Sequence, residues 1–246
     1  MKYQNMEQIR RCILTTIINL NEVFGPTIQG EGIHAGQLVG FVRLANCNLA
    51  CSWCDTPYSW DWSRFDKAVE VTDYTIDDLV QVIKGWKVSR VILTGGEPLM
   101  QQDALIKLAQ KCSTIKFDIE TNGTIAPKPE LAKLIDMFCV SPKLSHSGDV
   151  YKKRIKNNSL HVLSDLAKEG KAIFKFVCQE EANFEEIELV REEFSIGKEH
   201  IWIMPEGLNI ESQLATLNKL ADAVVSHYYN LTTRLHILAW GSKRGV

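Results

Sequence analysis

"QLVGFVRLANCNLACSWCD", residues 37–55, begins as an apolar run and ends in a loop with three cysteines inside eight residues. The run 37–44 is short, β-branched and nearly continuously apolar, as a strand buried on both faces is. Six further stretches read the same way: "RVILT" (90–94), "IKFDIET" (115–121), "MFCVS" (137–141), "AIFKFVC" (172–178), "IWIMP" (201–205) and "RLHILAW" (234–240). Amphipathic stretches lie between them. "TIDDLVQVIKGW" opens with Thr75 and carries Asp78 three residues on, a helix-start pattern. In "NIESQLATLNKLADAVV", Ile210, Leu214, Leu217, Ala221 and Val224 share one helical face, and the segments near 99–112, 158–169 and 183–194 also read as helical. Strand–helix alternation of this kind implies a parallel α/β sheet. Six or seven units are too few for a closed eight-stranded barrel and suit a partial, open parallel β/α barrel.

With 246 residues, 45% of them hydrophobic, the chain reads as a globular protein with a sizeable core. The 28 basic and 30 acidic side chains nearly cancel, which disfavours a nucleic-acid partner. No apolar run approaches the roughly 20 residues that span a bilayer, and no cleavage site follows the first apolar piece. A cytoplasmic protein without a membrane partner is expected. Seven cysteines, three of them crowded together, argue for reduced thiols rather than a secreted disulfide framework. No linker or repeat divides the chain, so residues 21–246 are expected to form one domain after an extension of residues 1–20.

In parallel α/β folds, ligands bind at the carboxyl ends of the strands. The cysteine loop follows the first of these strands, "TGGEP" the second, "ETNGT" the third, "SPK" the fourth and Gln179 the fifth. Cys47, Cys51 and Cys54 are spaced C-x3-C-x2-C. Structural zinc takes a fourth Cys or His, usually from a second short-spaced pair, and Cys12, Cys112, Cys139 and Cys178 are isolated. A [4Fe–4S] cluster on three cysteines keeps one iron position open for a ligand; this reading stands ahead of zinc or simple packing. Gly95 and Gly96 allow close backbone approach to a ligand, and Glu97 offers an acceptor for an ammonium group.

The C-x3-C-x-aromatic-C loop, with Trp53 as its aromatic residue, followed by "TGGEP", resembles the radical S-adenosylmethionine enzymes. The resemblance implies that the open iron binds the methionine end of S-adenosylmethionine, and that an electron passed to the sulfonium releases a 5′-deoxyadenosyl radical. It also implies that Trp53, Cys54 and Asp55 meet the adenine. Gly96 and Glu97 belong to the same cofactor site, and Ser141, Pro142 and Lys143 meet the ribose and methionine end. Gln179 joins this set on position alone; the alternative is a solvated loop residue.

"NEVFGPTIQGEG", "CDTPYSWD", "TGGEPLMQ", "ETNGT", "VSPK", "MPEG" and "RLHILAWGSKRGV" resemble, from Asn21 to Val246, the family of 7-carboxy-7-deazaguanine synthases. The resemblance implies a lyase of queuosine and 7-deazapurine biosynthesis that converts 6-carboxy-5,6,7,8-tetrahydropterin to 7-carboxy-7-deazaguanine with loss of ammonia. A homodimer and an electron donor such as a flavodoxin or ferredoxin are implied with it. Ile28, Gln29, Gly30 and Glu31 are then substrate residues. In extended backbone Gln29 and Glu31 share a side and suit the amino–oxo edge of a pterin, with Gly30 letting the ring lie against the chain. Arg43 suits the substrate carboxylate, unless an acid of the protein pairs it, and Thr94 ends its strand at the same place. The resemblance gives Thr56 to Mg2+, a cation that keeps waters and takes hydroxyl and substrate oxygens; by itself Thr56 reads as a turn or cap. The aromatic residues of "PYSWDW" read as exposed, facing substrate or partner. A glycyl-radical activating enzyme shares the cysteine loop but has no use for "IQGEG" or for Thr56. A non-catalytic metal-binding interaction module does not explain the polar strand ends. The near-neutral charge disfavours a radical enzyme acting directly on tRNA.

Overall fold

The computed structural model describes residues 16–246; Cys12 and residues 1–15 of the expected extension lie outside the described residues. Strand β1 (Ile17–Ile28) pairs antiparallel with β2 (Leu38–Leu44) on one side and with β3 (Thr72–Thr75) on the other. From β2 the sheet continues through β4 (Arg90–Gly95), β5 (Lys116–Thr121), β6 (Met137–Val140), β7 (Ala172–Cys178), β8 (Ile201–Pro205) and the two-residue β9 (Asn230–Leu231). All of these pairings are parallel. The order β3-β1-β2-β4-β5-β6-β7-β8-β9 makes an open sheet of the partial-barrel kind. The helices are α1 (Lys67–Glu70), α2 (Ile76–Gly85), α3 (Gln102–Lys111), α4 (Pro129–Leu134), α5 (Tyr151–Arg154), α6 (Asn157–Lys168), α7 (Asn183–Glu193), α8 (Ile210–His227) and α9 (Leu235–Trp240).

Period-two alternation decides what each strand sends to which side. Leu44, Leu93, Ile119, Val140, Phe174, Phe176 and Ile203 face the helices and form the main core. The opposite residues line the concave side, where Val39, Phe41 and Ile92 make a small apolar patch and Arg43, Thr94, Glu120, Cys139 and Lys175 border a cavity. Thr75 caps α2, its hydroxyl accepting from the Asp78 amide at 3.1 Å, and Ile76, Leu79, Val80 and Ile83 of that helix are buried. Each such aliphatic side chain contributes about 2 kcal/mol of burial.

Four sequence expectations change. "IINLNEVFGPTI" is a strand, although Asn19, Asn21 and Glu22 break its apolar pattern. Its register shifts across Gly25 and Pro26, the kind of irregularity at which a sheet tolerates proline. The sheet therefore begins at Ile17, inside the segment expected to precede the domain. "RLHILAW" forms α9 instead of a strand: after β9 the Leu235 amide bonds the Gly30 carbonyl at 2.9 Å, and the Arg234 carbonyl accepts from Ile237 and Leu238. An apolar run this short does not distinguish strand from helix by pattern. Finally, α8 buries Gln213, Leu220, Ala223 and Val224. Ile210 and Leu214, expected in the core, are exposed, because the helix is rotated so that Gln213 donates to Thr233 at 3.0 Å.

Candidate active site at the open end of the barrel

The concave side encloses a cavity of about 210 Å3 at the carboxyl ends of the parallel strands. Cys47, Cys51 and Cys54 all line it, delivered by the loop that leaves β2. Donors already point at two of the sulfurs: the Leu49 amide and the Asn122 amide group reach Cys47 Sγ at 3.5 and 3.8 Å, and Trp60 Nε1 reaches Cys54 Sγ at 3.3 Å. Burial pushes the Cys47 thiol up to about 12 and the Cys51 thiol upward. Thiolates here therefore need a cationic centre in place of the proton. Among the described residues no three His, Cys, Asp or Glu side chains gather round a single-ion position. Three thiols on one cavity wall, two of them met by N–H donors, fit an iron–sulfur cluster.

The glycines of "TGGEP" serve the loop itself. A Cβ on Gly96 would lie 1.9 Å from the Asn46 carbonyl oxygen, and one on Gly95, at φ +136°, 2.1 Å from that of Leu44. Only glycine lets β4 pass this close to the start of the cysteine loop, where the Gly96 and Glu97 amides bond Leu44 and Asn46. Glu97 turns inward. It is fully buried and accepts from the Leu99 amide at 2.9 Å, the Thr121 hydroxyl at 2.8 Å and the Asn122 amide at 2.7 Å. It ties the loop after β5 to β4 and does not border the cavity, contrary to the expected ammonium contact.

Trp53, Asp55, Ser141 and Lys143 line the cavity with the cysteines. Lys143 Nζ sits 5.3 Å from the centre of the Trp53 ring and donates to Ser141 Oγ at 2.9 Å. Pro142 is buried behind them. Gln179 lies outside: it is exposed and donates to Glu206 at 2.9 Å, the solvated alternative. Within "PYSWDW", Tyr58, Trp60 and Trp62 are half-buried rather than exposed, and Trp60 belongs to the cavity wall.

Ile28, Gln29, Gly30, Glu31, Arg43, Thr56 and Thr94 all border the same cavity. Gln29 Nε2 and Thr94 Oγ1 donate to the two oxygens of Glu120, at 3.1 and 2.8 Å. Glu31 pairs with Lys175 through one oxygen and, through the other, with Arg234 Nε at 3.1 Å. Arg234 also holds Asp55 and donates to the Gly207 carbonyl at 3.0 Å. Burial raises the Glu31 pKa, but Lys175 and Arg234 outweigh it and hold the carboxyl well below its usual range. The Arg43 Nε donates to Glu22 at 2.7 Å, so an acid of the protein does pair this arginine. Among the described residues its two terminal nitrogens keep no such bond, and they remain for a ligand. Gly30 makes room for the His236 ring, whose Nδ1 would lie 2.0 Å from a Cβ there; the expectation that a substrate ring needs that space gives way to this one. Burial lowers the His236 pKa, which favours the neutral imidazole. The Thr56 hydroxyl caps nothing in the short helical turn that follows it; it lies 3.7 Å from Cys54 Sγ, facing the cavity.

Glu120, Lys175, Arg234 and His236 were missed from sequence. Lys175 carried a signal: strand alternation puts it on the concave side with Ile173 and Val177. The cavity is lined by four cations (Arg43, Lys143, Lys175, Arg234) and three carboxylates (Glu31, Asp55, Glu120), an excess of positive charge that suits an anionic ligand.

Comparison with known proteins agrees with this geometry. The profile of the radical SAM superfamily matches residues 42–163. A 7-carboxy-7-deazaguanine synthase from Pyrobaculum aerophilum is 35% identical over 94% of this chain and 98% of its own. Another from Bacillus subtilis is 32% identical over 92% of this chain and 97% of its own. A third, from Hyperthermus butylicus, is 34% identical, with coverages of 92% and 94%. The crystal structure of QueE from Escherichia coli superposes with a TM-score of 0.64 over 89% of this chain and 95% of that one, at 23% identity, and shows the same fold. Likeness of this extent, together with a cavity that gathers the three cysteines and the "IQGEG" residues, means that the chain belongs to the 7-carboxy-7-deazaguanine synthase family of radical SAM enzymes.

Proposed function

We infer that the chain is a radical S-adenosylmethionine lyase that converts 6-carboxy-5,6,7,8-tetrahydropterin to 7-carboxy-7-deazaguanine with loss of ammonia. The observation that carries the inference is the sharing of one cavity by Cys47, Cys51 and Cys54 with Gln29, Glu31, Arg43 and Thr94. Cys47, Cys51 and Cys54 hold a [4Fe–4S] cluster that, with S-adenosylmethionine bound, supplies the radical that starts the reaction.

The remaining roles belong to the chain. Trp53, Asp55, Ser141 and Lys143 bind the cosubstrate; Gly96 shapes its side of the cavity and Pro142 backs it. The terminal nitrogens of Arg43 meet the substrate carboxylate. Glu31, oriented by Lys175 and Arg234, keeps lone pairs free for the donors of the pterin edge. Gln29 and Thr94, fixed by Glu120, border the ring, and Ile28 packs on it. Thr56 offers one hard oxygen, which suits a magnesium ion held chiefly by water and substrate; such an ion stabilises negative charge on the substrate. Neutral His236 stands beside Gly30 as a hydrogen-bonding group that adds no charge.

The described chain works as one domain from β1 onward, and among the described residues no helix is long and apolar enough to cross a membrane. A small acidic electron carrier of the flavodoxin or ferredoxin kind, a cytoplasmic setting and a homodimer complete the reading by likeness to the family. Anaerobic incubation of the cluster-loaded protein with S-adenosylmethionine and the carboxytetrahydropterin tests it. Mass spectrometry is expected to find the deazaguanine and released ammonia; cosubstrate cleavage with the pterin recovered intact would overturn the substrate.

A further inference from the structure

An ion network borders the cavity beyond the residues considered so far, and it is centred on Arg244. Its Nε donates to Glu22 Oε1 at 3.0 Å, and its terminal nitrogens reach the two oxygens of Glu70 at 3.4 and 2.9 Å. The guanidinium lies over Tyr58, 3.6 Å from the ring centre. A forked carboxylate pair stacked on an aromatic face is an arrangement that arginine makes and lysine does not. These contacts hold the segment 241–246 against β1 and α1, and Val246, two residues on, lines the cavity. The second Glu22 oxygen accepts from Arg43 Nε at 2.7 Å and from the Tyr58 hydroxyl at 3.1 Å. One carboxylate therefore stands between two arginines, one of which faces the substrate.

We propose that Arg244 is a positioning residue for the pterin substrate. It pins the segment 241–246 so that Val246 completes the cavity wall, and it occupies one oxygen of Glu22 so that only the other engages Arg43. With Arg244 gone, Glu22 Oε1 is released and can take a second nitrogen of Arg43 beside the bond that Oε2 already accepts, which draws a terminal nitrogen away from the substrate carboxylate. The effect falls chiefly on the pterin, because among the described residues no hydrogen bond or ion pair joins the network to Trp53, Asp55, Ser141 or Lys143. The inference rests on the pterin reading of the cavity.

Arg244→Gln and Arg244→Lys, in cluster-loaded protein, separate the outcomes. Hydrogen exchange without substrate reports on the segment. Turnover reports KM for pterin and for S-adenosylmethionine, and iron content reports the cluster. In Arg244→Gln, amide protection in 241–246 is expected to fall and pterin KM to rise about two- to fivefold, the size of a well-formed, partly exposed ion pair. Iron content and the KM for S-adenosylmethionine should hold. Arg244→Lys, which keeps the charge without the fork, should fall between the two. Adding Glu70→Gln to Arg244→Gln should raise pterin KM little further, since both remove the same contact. Unchanged protection in Arg244→Gln would overturn the latch. Lost protection with a wild-type pterin KM, or equal rises in both KM values, would overturn the positioning role. A wild-type protein that fails to turn over the pterin would sink the functional reading instead, and the exchange measurement would still judge the latch.

Discussion

Glu31 serves two cations at once, and the consequence is measurable. Replacing it by glutamine keeps its shape and removes its charge, leaving Lys175 and Arg234 buried without their carboxylate. Losing one partner of such a network is expected to destabilise by about 3–5 kcal/mol, with weaker pterin binding and near-normal S-adenosylmethionine cleavage; chemical unfolding and a calorimetric titration check the two parts. The pH dependence has a defined sign. The Glu31 carboxyl is depressed in the fold, so its contribution is fully present above its unfolded value of about 4.3 and is lost as pH falls below it. The stability gap between wild type and Glu31→Gln should be flat from pH 5 to 8 and narrow below about 4. Thr56 poses a simpler test. Thr56→Val keeps the β-branched shape without the oxygen, so iron content should survive while turnover falls and stops responding to Mg2+. A variant that turns over at the wild-type rate and still needs magnesium places that ion elsewhere.

At the scale of elements, what was legible in the sequence was what is local. The cysteine loop is read from spacing within eight residues, and strands such as 172–178 from their unbroken apolar runs. The α8 face was misread because its apolar stripe and its buried stripe are offset around the helix and meet only at Val224, and tertiary packing chose the side that carries Gln213. Lys175 and Arg234 escaped because their partner Glu31 is 144 and 203 residues distant, and no periodicity reports such a pairing. Gly96 was read for ligand approach; it borders the cavity, and it also lets β4 meet the cysteine loop. Gly96→Ala therefore has an expected outcome unlike that of a ligand-contact change: overpacking against backbone, about 1–3 kcal/mol of lost stability, and reduced iron in anaerobically reconstituted protein. Full iron loading with only weaker cosubstrate affinity would restore the ligand reading.

For the molecule as a whole, the cavity is bounded by β1, the cysteine loop, six parallel strands and the segment after β9, so ligands bridge parts that are remote in the chain. Substrate and cosubstrate should accordingly stabilise the entire sheet. At a hundredfold excess over Kd each ligand adds about 2.7 kcal/mol, and at about 2–4 °C per kcal/mol for a chain of this size the expected rise in Tm is roughly 5–10 °C. Anaerobic calorimetry with each ligand in turn checks it, and Arg43→Gln should blunt the response to the pterin alone.

The reach of Arg234 back to Glu31 and Asp55 also orders events in time. On the ribosome, β1 through β7 and the cysteine loop leave the exit tunnel before Arg234 has been synthesised, so a nascent chain has most of its sheet available while the far wall of the cavity is missing. The cysteine loop is therefore expected to be more open to iron before Arg234 docks than after it. Chains arrested before residue 234 should accept and lose a cluster faster than the full chain does, which pulse measurements of iron uptake and release on stalled and released chains would reveal.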